Sequence, residues 1–86
     1  MQFMVIEHFK NGDTAPIGKR FVDHGRLMPP SVEYVASWVD PIKLRCFQVM
    51  EAPDPSLLQQ WIDNWKDLVD FEVIPVQTSA EFWQDR

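Results

Sequence analysis

A single cysteine, Cys46, leaves the 86-residue chain no intramolecular disulfide and no cysteine-based metal cluster. Basic residues are scarce. Eight Lys and Arg against thirteen Asp and Glu give a formal charge of −5, which argues against a protein that displaces counterions from a nucleic-acid backbone. No apolar run approaches the roughly 20 residues of a membrane span. Met1–Lys10 already carries Glu7 and His8 and lacks the basic start and longer apolar region of a signal peptide. A cytoplasmic protein with a reduced thiol is therefore expected. Gly12 and Gly25 stand alone, so no phosphate-binding loop exists. The two histidines lack metal-ligand spacing, and neither a metal nor a cofactor is expected.

What the chain does have is aromatic mass. Four Trp and six Phe occur in 86 residues, and each such ring can bury about 150–250 Å². That load is large for a domain whose lone core is marginal at this size, and it points to a partner surface.

The spacing of apolar residues predicts an element order of βαββαβ plus a tail. Gln2–Phe9 is rich in β-branched and aromatic residues and too short for a helix, which makes it a strand. Asn11-Gly12-Asp13 breaks it. Asp13 or Thr14 then supplies an N-cap oxygen, and Pro16 fits the first turn of a helix. The stripe of that helix is Ile17, Phe21, His24 and Met28, with its end near Gly25 to Met28 before Pro29-Pro30. Val32–Val39 and Leu44–Glu51 form an antiparallel hairpin around Asp40–Lys43. Asp54 caps a second helix with Pro55 at its first position, and Leu58, Trp61, Ile62, Trp65 and Leu68 form its apolar stripe. Asp70–Thr78 is a last strand, at an edge because of Pro75. Ser79 is the expected cap of a short tail helix through Trp83.

An internal F-x-V-x-E repeat, Phe3–Glu7 and Phe47–Glu51, agrees with two split βαβ halves and a ferredoxin-like sandwich with a four-stranded antiparallel sheet. If a two-fold axis normal to the sheet relates the halves, Phe3, Val5, Phe47 and Val49 share one side. Met4, Ile6, His8, Cys46, Gln48 and Met50 then share the other. Both sides of the central strands are mostly apolar, and two helices cover only one. The simplest cover for the second is another copy of the same face, which predicts a homodimer.

With these segments in place the whole chain, as one domain, resembles the dimeric α+β barrel superfamily. Within it the chain is similar to a family of short, mostly bacterial proteins described only as a domain of unknown function. The segments that carry the resemblance are Phe3–Glu7, Gly25-Arg26, Ser37–Val39, Arg45–Glu51, Trp61-Ile62 through Trp65–Leu68, and Phe71–Val76. The resemblance implies pairing of sheets into a barrel and, in many members, a small ligand between the sheet and the helices of each protomer. Activities in the superfamily include cofactor-free oxidation of polycyclic phenols, haem degradation, lactone isomerisation and ligand sensing. None of their catalytic patterns transfers to this sequence, and fold analogy alone supplies no function.

The residues able to carry chemistry are few. Cys46 reads first as a small buried hydrophobe; as a nucleophile it needs a base, and His8 is that base if both lie on one side of adjacent strands. His24, on the apolar stripe of the first helix, reads as a boundary histidine or as a general base facing a pocket. Trp61 and Trp65 pin the second helix to the sheet, and with Trp38 they form the alternative of an aromatic-walled pocket. Gln48 or Glu51 is the expected partner for their indole N–H groups. Gln48 is the strongest site marker, because an amide in a central strand must be hydrogen-bonded or solvated. Glu7, Glu51 and Glu72 read as solvated or paired at strand ends, with Arg26 and Arg45 as partners.

The sequence thus favours a homodimeric domain holding a small apolar or aromatic ligand near Trp38, Gln48, Met50, Trp61 and Trp65. A cofactor-independent oxygenase or isomerase with a histidine base is one alternative. A purely structural assembly module is the other.

Overall fold

β-branched and aromatic side chains suit a pleated, half-buried surface. The computed structural model, which describes residues 1–84, accordingly has strand β1 at Gln2–Phe9. It continues with α1 (Ala15–His24), β2 (Glu33–Asp40), β3 (Arg45–Glu51), α2 (Pro55–Asp63), β4 (Val69–Val76) and α3 (Ser79–Gln84). The strands form one antiparallel sheet in the order β2-β3-β1-β4, the α+β ferredoxin-like arrangement. Pro75 lies on the edge strand β4, where proline is tolerated. No helix among the described residues is long and apolar enough to cross a membrane.

Local chemistry sets the boundaries. Thr14 is the N-cap residue of α1, but the side chain that accepts a helical N–H is Asp13, from Ala15 at 3.1 Å. Gly25 ends α1 at φ +68° with its N–H on the Phe21 carbonyl, so the helix stops at His24 and Met28 packs on the core from a loop. In the hairpin, the Asp40 carboxylate accepts from the Ile42 and Lys43 amides at 3.0 and 3.3 Å and from Arg45 Nε at 3.0 Å. Asp54 caps α2 by accepting from the Ser56 and Leu57 amides, with Pro55 in the first turn. The cap of α3 is Thr78 rather than Ser79. Thr78 Oγ1 accepts from the Glu81 amide at 3.1 Å while Glu81 Oε1 accepts from Thr78 N at 3.3 Å, a reciprocal capping box.

The register corrects the expected division of faces. Phe3 lies opposite Met50, Val5 opposite Gln48 and Glu7 opposite Cys46. Odd-numbered residues of β1 therefore share a face with even-numbered residues of β3, whereas the F-x-V-x-E repeat relates odd positions to odd. Because strand side chains alternate, a one-residue difference in register reverses every one of them. The repeat does not follow the symmetry of the sheet: Phe3 and Val5 lie with Cys46, Gln48 and Met50, and Phe47 and Val49 lie on the reverse with Met4, Ile6 and His8.

The core forms on the Phe3 face. Phe3, Val5, Met50, Val32 and Ala52 pack with Leu58, Trp61 and Ile62 of α2 and with Trp65 just beyond it. Full burial of an aliphatic or aromatic side chain contributes about 1.5–3 kcal/mol. The indole of Trp61 meets Phe71 edge-on, with ring centroids 5.5 Å apart. By contrast, α1 has no fully buried residue and touches the core only through half-buried Ile17. The reverse face carries apolar cross-strand rows, Trp38–Phe47–Ile6 and Ala36–Val49–Met4–Ile74, and Trp38 there is 60% exposed.

Candidate functional site

Where α2 sits tightly on the sheet and α1 does not, a cleft of about 150 Å³ remains between them. Its floor is the sheet. Glu7 and Phe9 reach it from β1, Cys46 and Gln48 from β3, Ser37 from β2 and Val69 from β4. The pairing places Glu7 directly across from Cys46, and Gln48 directly across from Ser37, so four polar side chains form one block. Opposite this block stand Ile17 and Phe21 of α1, Trp61, Trp65 and Arg26.

Arg26 is held by an unusual stretch of backbone. Gly25 and Leu27 both have positive φ, 68° and 57°, and the chain between them exposes two carbonyls to α2. The Arg26 carbonyl accepts from Trp61 Nε1 at 3.1 Å and from Trp65 Nε1 at 2.9 Å. The Leu27 carbonyl accepts from Asn64 Nδ2 at 2.9 Å. These bonds, and neither Gln48 nor Glu51, satisfy the two indoles. The Arg26 side chain stacks over Tyr34, 3.6 Å from the ring centroid, and lies 5.2 Å from that of Phe21. A second clamp holds α1: Arg20 donates to both carboxylate oxygens of Asp67 at 2.7 Å and to the Asn64 carbonyl at 2.9 Å.

The electrostatics of the floor follow from burial. Desolvation pushes the Glu7 carboxyl up to about 7, against the opposing pull of the Arg26 charge. Among the described residues Glu7 takes part in no hydrogen bond or ion pair, although it faces the cleft. Burial, and then the neighbouring Glu7, push the Cys46 thiol up to about 11; Arg26 and a hydrogen bond from Ser37 pull less strongly the other way. A thiol so placed is inert near neutrality. Gln48 is 4% exposed, and among the described residues its amide has sulfur partners alone, donating to Met50 Sδ at 3.0 Å and accepting from Cys46 Sγ at 3.9 Å. Sulfur is a weak partner for an amide.

The structure brings Cys46, Gln48, Trp61 and Trp65 together in the cleft and separates the other expected residues from it. His8 is on the reverse face, 4.0 Å from Glu72 with both exposed, so it cannot activate Cys46. His24 is exposed at the end of α1, on a different surface. Trp38 stands on the reverse face, and Met50 is fully buried in the core beyond Gln48. Glu51 and Glu72 are exposed, Arg45 pairs with Asp40, and half-buried Glu7 feels the Arg26 charge without a direct ion pair among the described residues. Glu7 and Arg26 are the residues sequence reasoning missed. The signal for Glu7 is its place in the alternation Phe3-Val5-Glu7-Phe9, an acid on an apolar face. For Arg26 no such signal exists, because its position depends on the backbone between two positive-φ residues.

A ferredoxin-like sheet with a cleft under its helices defines a broad class of small α+β domains. Within that class the chain belongs to the domain-of-unknown-function family DUF3303, which matches residues 1–84. No curated protein and no solved structure matches it significantly.

Proposed function

We propose that this domain binds a small, flat, largely apolar ligand with one polar edge in the cleft between sheet and helices. The observation that carries the reading is the floor. Gln48 is buried and meets its amide with sulfur, and beside it half-buried Glu7 faces the cleft with no hydrogen bond among the described residues. Sulfur is a weak partner for a buried amide, and a ligand edge offering a donor and an acceptor gives both groups stronger ones. The aromatic roof suits a ring, and a cavity of about 150 Å³ takes a molecule of benzene's size. The test is phenol titration monitored through the indole N–H resonances of Trp61 and Trp65. Saturable shifts at these two signals, lost on Gln48→Leu, support the reading, and their absence at millimolar phenol refutes it.

The same reading includes a homodimer, built as a dimeric α+β barrel. Support comes from the reverse face, where Trp38, Phe47, Ile6, Val49, Met4 and Ile74 form an apolar surface that α1 and α2 leave uncovered. A second copy of that face across a two-fold axis closes both surfaces at once.

A further inference from the structure

Three features narrow the chemistry the cleft can perform. First, Glu7 is the only carboxylate among the described residues lining it, so two-carboxylate hydrolysis finds no second member there. Second, the thiol opposite Glu7 is held in its protonated form, which removes nucleophilic sulfur chemistry. Third, no cluster of metal-ligating side chains occurs among the described residues. What remains among the described residues is one carboxyl without a hydrogen bond, one guanidinium lining the same cleft and coupled to it by charge, and an aromatic wall.

We propose that the cleft is the active site of a cofactor-independent isomerase that shifts a proton adjacent to a carbonyl, with Glu7 as the base and Arg26 as the stabiliser of the enolate oxygen. The substrate class is a single-ring β,γ-unsaturated ketone. The Glu7 carboxylate removes a proton from the carbon between the carbonyl and the alkene. The C–H electron pair forms the enolate C=C, and the carbonyl π pair moves to oxygen beside Arg26. Collapse of the enolate then takes the same proton from the Glu7 carboxyl at the far alkene carbon. The product is the conjugated ketone, with no net change in atoms, charge or oxidation state. A single base suffices, because the proton enters and leaves on one face of the ring.

The geometry suits each role. Arg26 is anchored by two indole hydrogen bonds to its own carbonyl and by stacking on Tyr34, so its charge is in place before substrate arrives. Gln48 contacts the polar edge of the ring, and Trp61 and Trp65 cover its face. The charged and titratable groups around Glu7 are Arg26 from the α1–β2 loop and the Cys46 thiol of β3. α1 contributes Ile17 and Phe21 to the lining, α2 contributes Trp61 and β4 contributes Val69, none of them titratable. A carboxyl that titrates near 7 is matched to proton transfer at neutral pH.

The inference rests on the ligand-binding reading above, and one experiment separates the two. The probe is a β,γ-unsaturated cyclohexenone, with turnover followed by the rise in conjugated-enone absorbance and binding followed by the Trp61 and Trp65 indole resonances. The expected result is binding together with turnover above buffer, kcat/KM rising with pH and levelling off above about 7. Glu7→Gln is expected to lower kcat by about 10²–10⁴-fold while the probe still binds. Arg26→Met is expected to lower kcat more than it raises KM. Binding without turnover, or turnover that survives Glu7→Gln, overturns the isomerase and leaves the binding reading standing. Absence of binding overturns both.

Discussion

Replacing Glu7 by Gln removes a carboxyl whose ionisation the fold opposes, and the stability of the protein is expected to report this directly. In the unfolded chain Glu7 titrates at its ordinary value of 4.5; in the folded cleft it titrates at about 7. Between these two values the folded protein holds a proton that the unfolded chain has released. Stability therefore falls as pH rises, by about 1.4 kcal/mol per pH unit across that window. The contribution is fully favourable below 4.5 and lost by the time pH has passed through 7. Integrated, the cost of ionising Glu7 approaches about 3 kcal/mol; because the cleft opens to solvent, about 2 kcal/mol is the working figure.

Glu7→Gln keeps the shape and a hydrogen-bonding head but cannot ionise. At pH 4 the variant and the parent are expected to be within about 0.5 kcal/mol of each other. At pH 8 the variant is expected to be more stable by about 2 kcal/mol, or roughly 8–16 °C in Tm for a domain of this size. Urea denaturation of both proteins at half-unit pH steps measures the difference, and His8 and His24, common to both, cancel from it. A difference that stays constant from pH 4 to pH 8 would show that Glu7 ionises freely in the folded state. That result refutes the buried-carboxyl argument.

Further expectations follow from the same contacts. Trp61→Phe and Trp65→Phe each remove one donor from the Arg26 carbonyl, about 1 kcal/mol apiece beyond lost packing. The double variant is expected to cost more than their sum, since the carbonyl then has no donor from either indole; a double-mutant cycle by denaturation tests this, and strict additivity counts against it. Gln48→Leu, which exchanges sulfur-only hydrogen bonds for apolar contact, is expected to change stability by less than about 1 kcal/mol while abolishing phenol binding. The Asp67 carboxyl is held down at about 2 by the hydrogen bond and charge of Arg20, so its contribution is present above the ordinary carboxylate value of 3.8 and is lost as pH falls from there through 2. Asp67→Asn is expected to flatten the acid limb of a Tm-against-pH curve, and an unchanged limb would rule out the clamp. Phe47→Glu on the reverse face is expected to yield a monomer by sedimentation with unchanged circular dichroism. A parent protein already monomeric at micromolar concentration removes the dimer.

The element order was legible in the sequence because each boundary carries its own chemistry: Asp54-Pro55 at one helix start, Pro29-Pro30 beyond another end, Pro75 on an edge. The strands matched within a residue or two, since β-branched and aromatic runs bounded by turn residues leave few alternatives. The partners of side chains were less legible. The indole N–H groups found the Arg26 carbonyl because Gly25 and Leu27 turn the backbone toward α2, and no periodicity in the sequence encodes that turn. The capping box of α3 was within reach, since Thr78 and Glu81 stand at the required spacing, one residue earlier than the serine suggested.

The face assignment shows why the neighbour of Cys46 was not legible in the sequence. Cross-strand register, rather than composition, decides which residues of β1 meet which of β3. Taking the repeat as the symmetry of the fold puts His8 on the side of Cys46 and offers a thiol–imidazole pair as the alternative to a buried, inert thiol. The observed register shifts β1 by one position, and the residue opposite Cys46 becomes Glu7. That exchange changes the chemistry as well as the geometry. A histidine beside the thiol would favour the thiolate, whereas a carboxylate in a poorly solvated cleft disfavours it and is itself driven toward the protonated form. The two groups titrate at about 7 and about 11, so near neutrality the carboxyl changes its protonation state and the thiol does not. One step of register thus makes a carboxyl, and not an imidazole, the neighbour of the thiol.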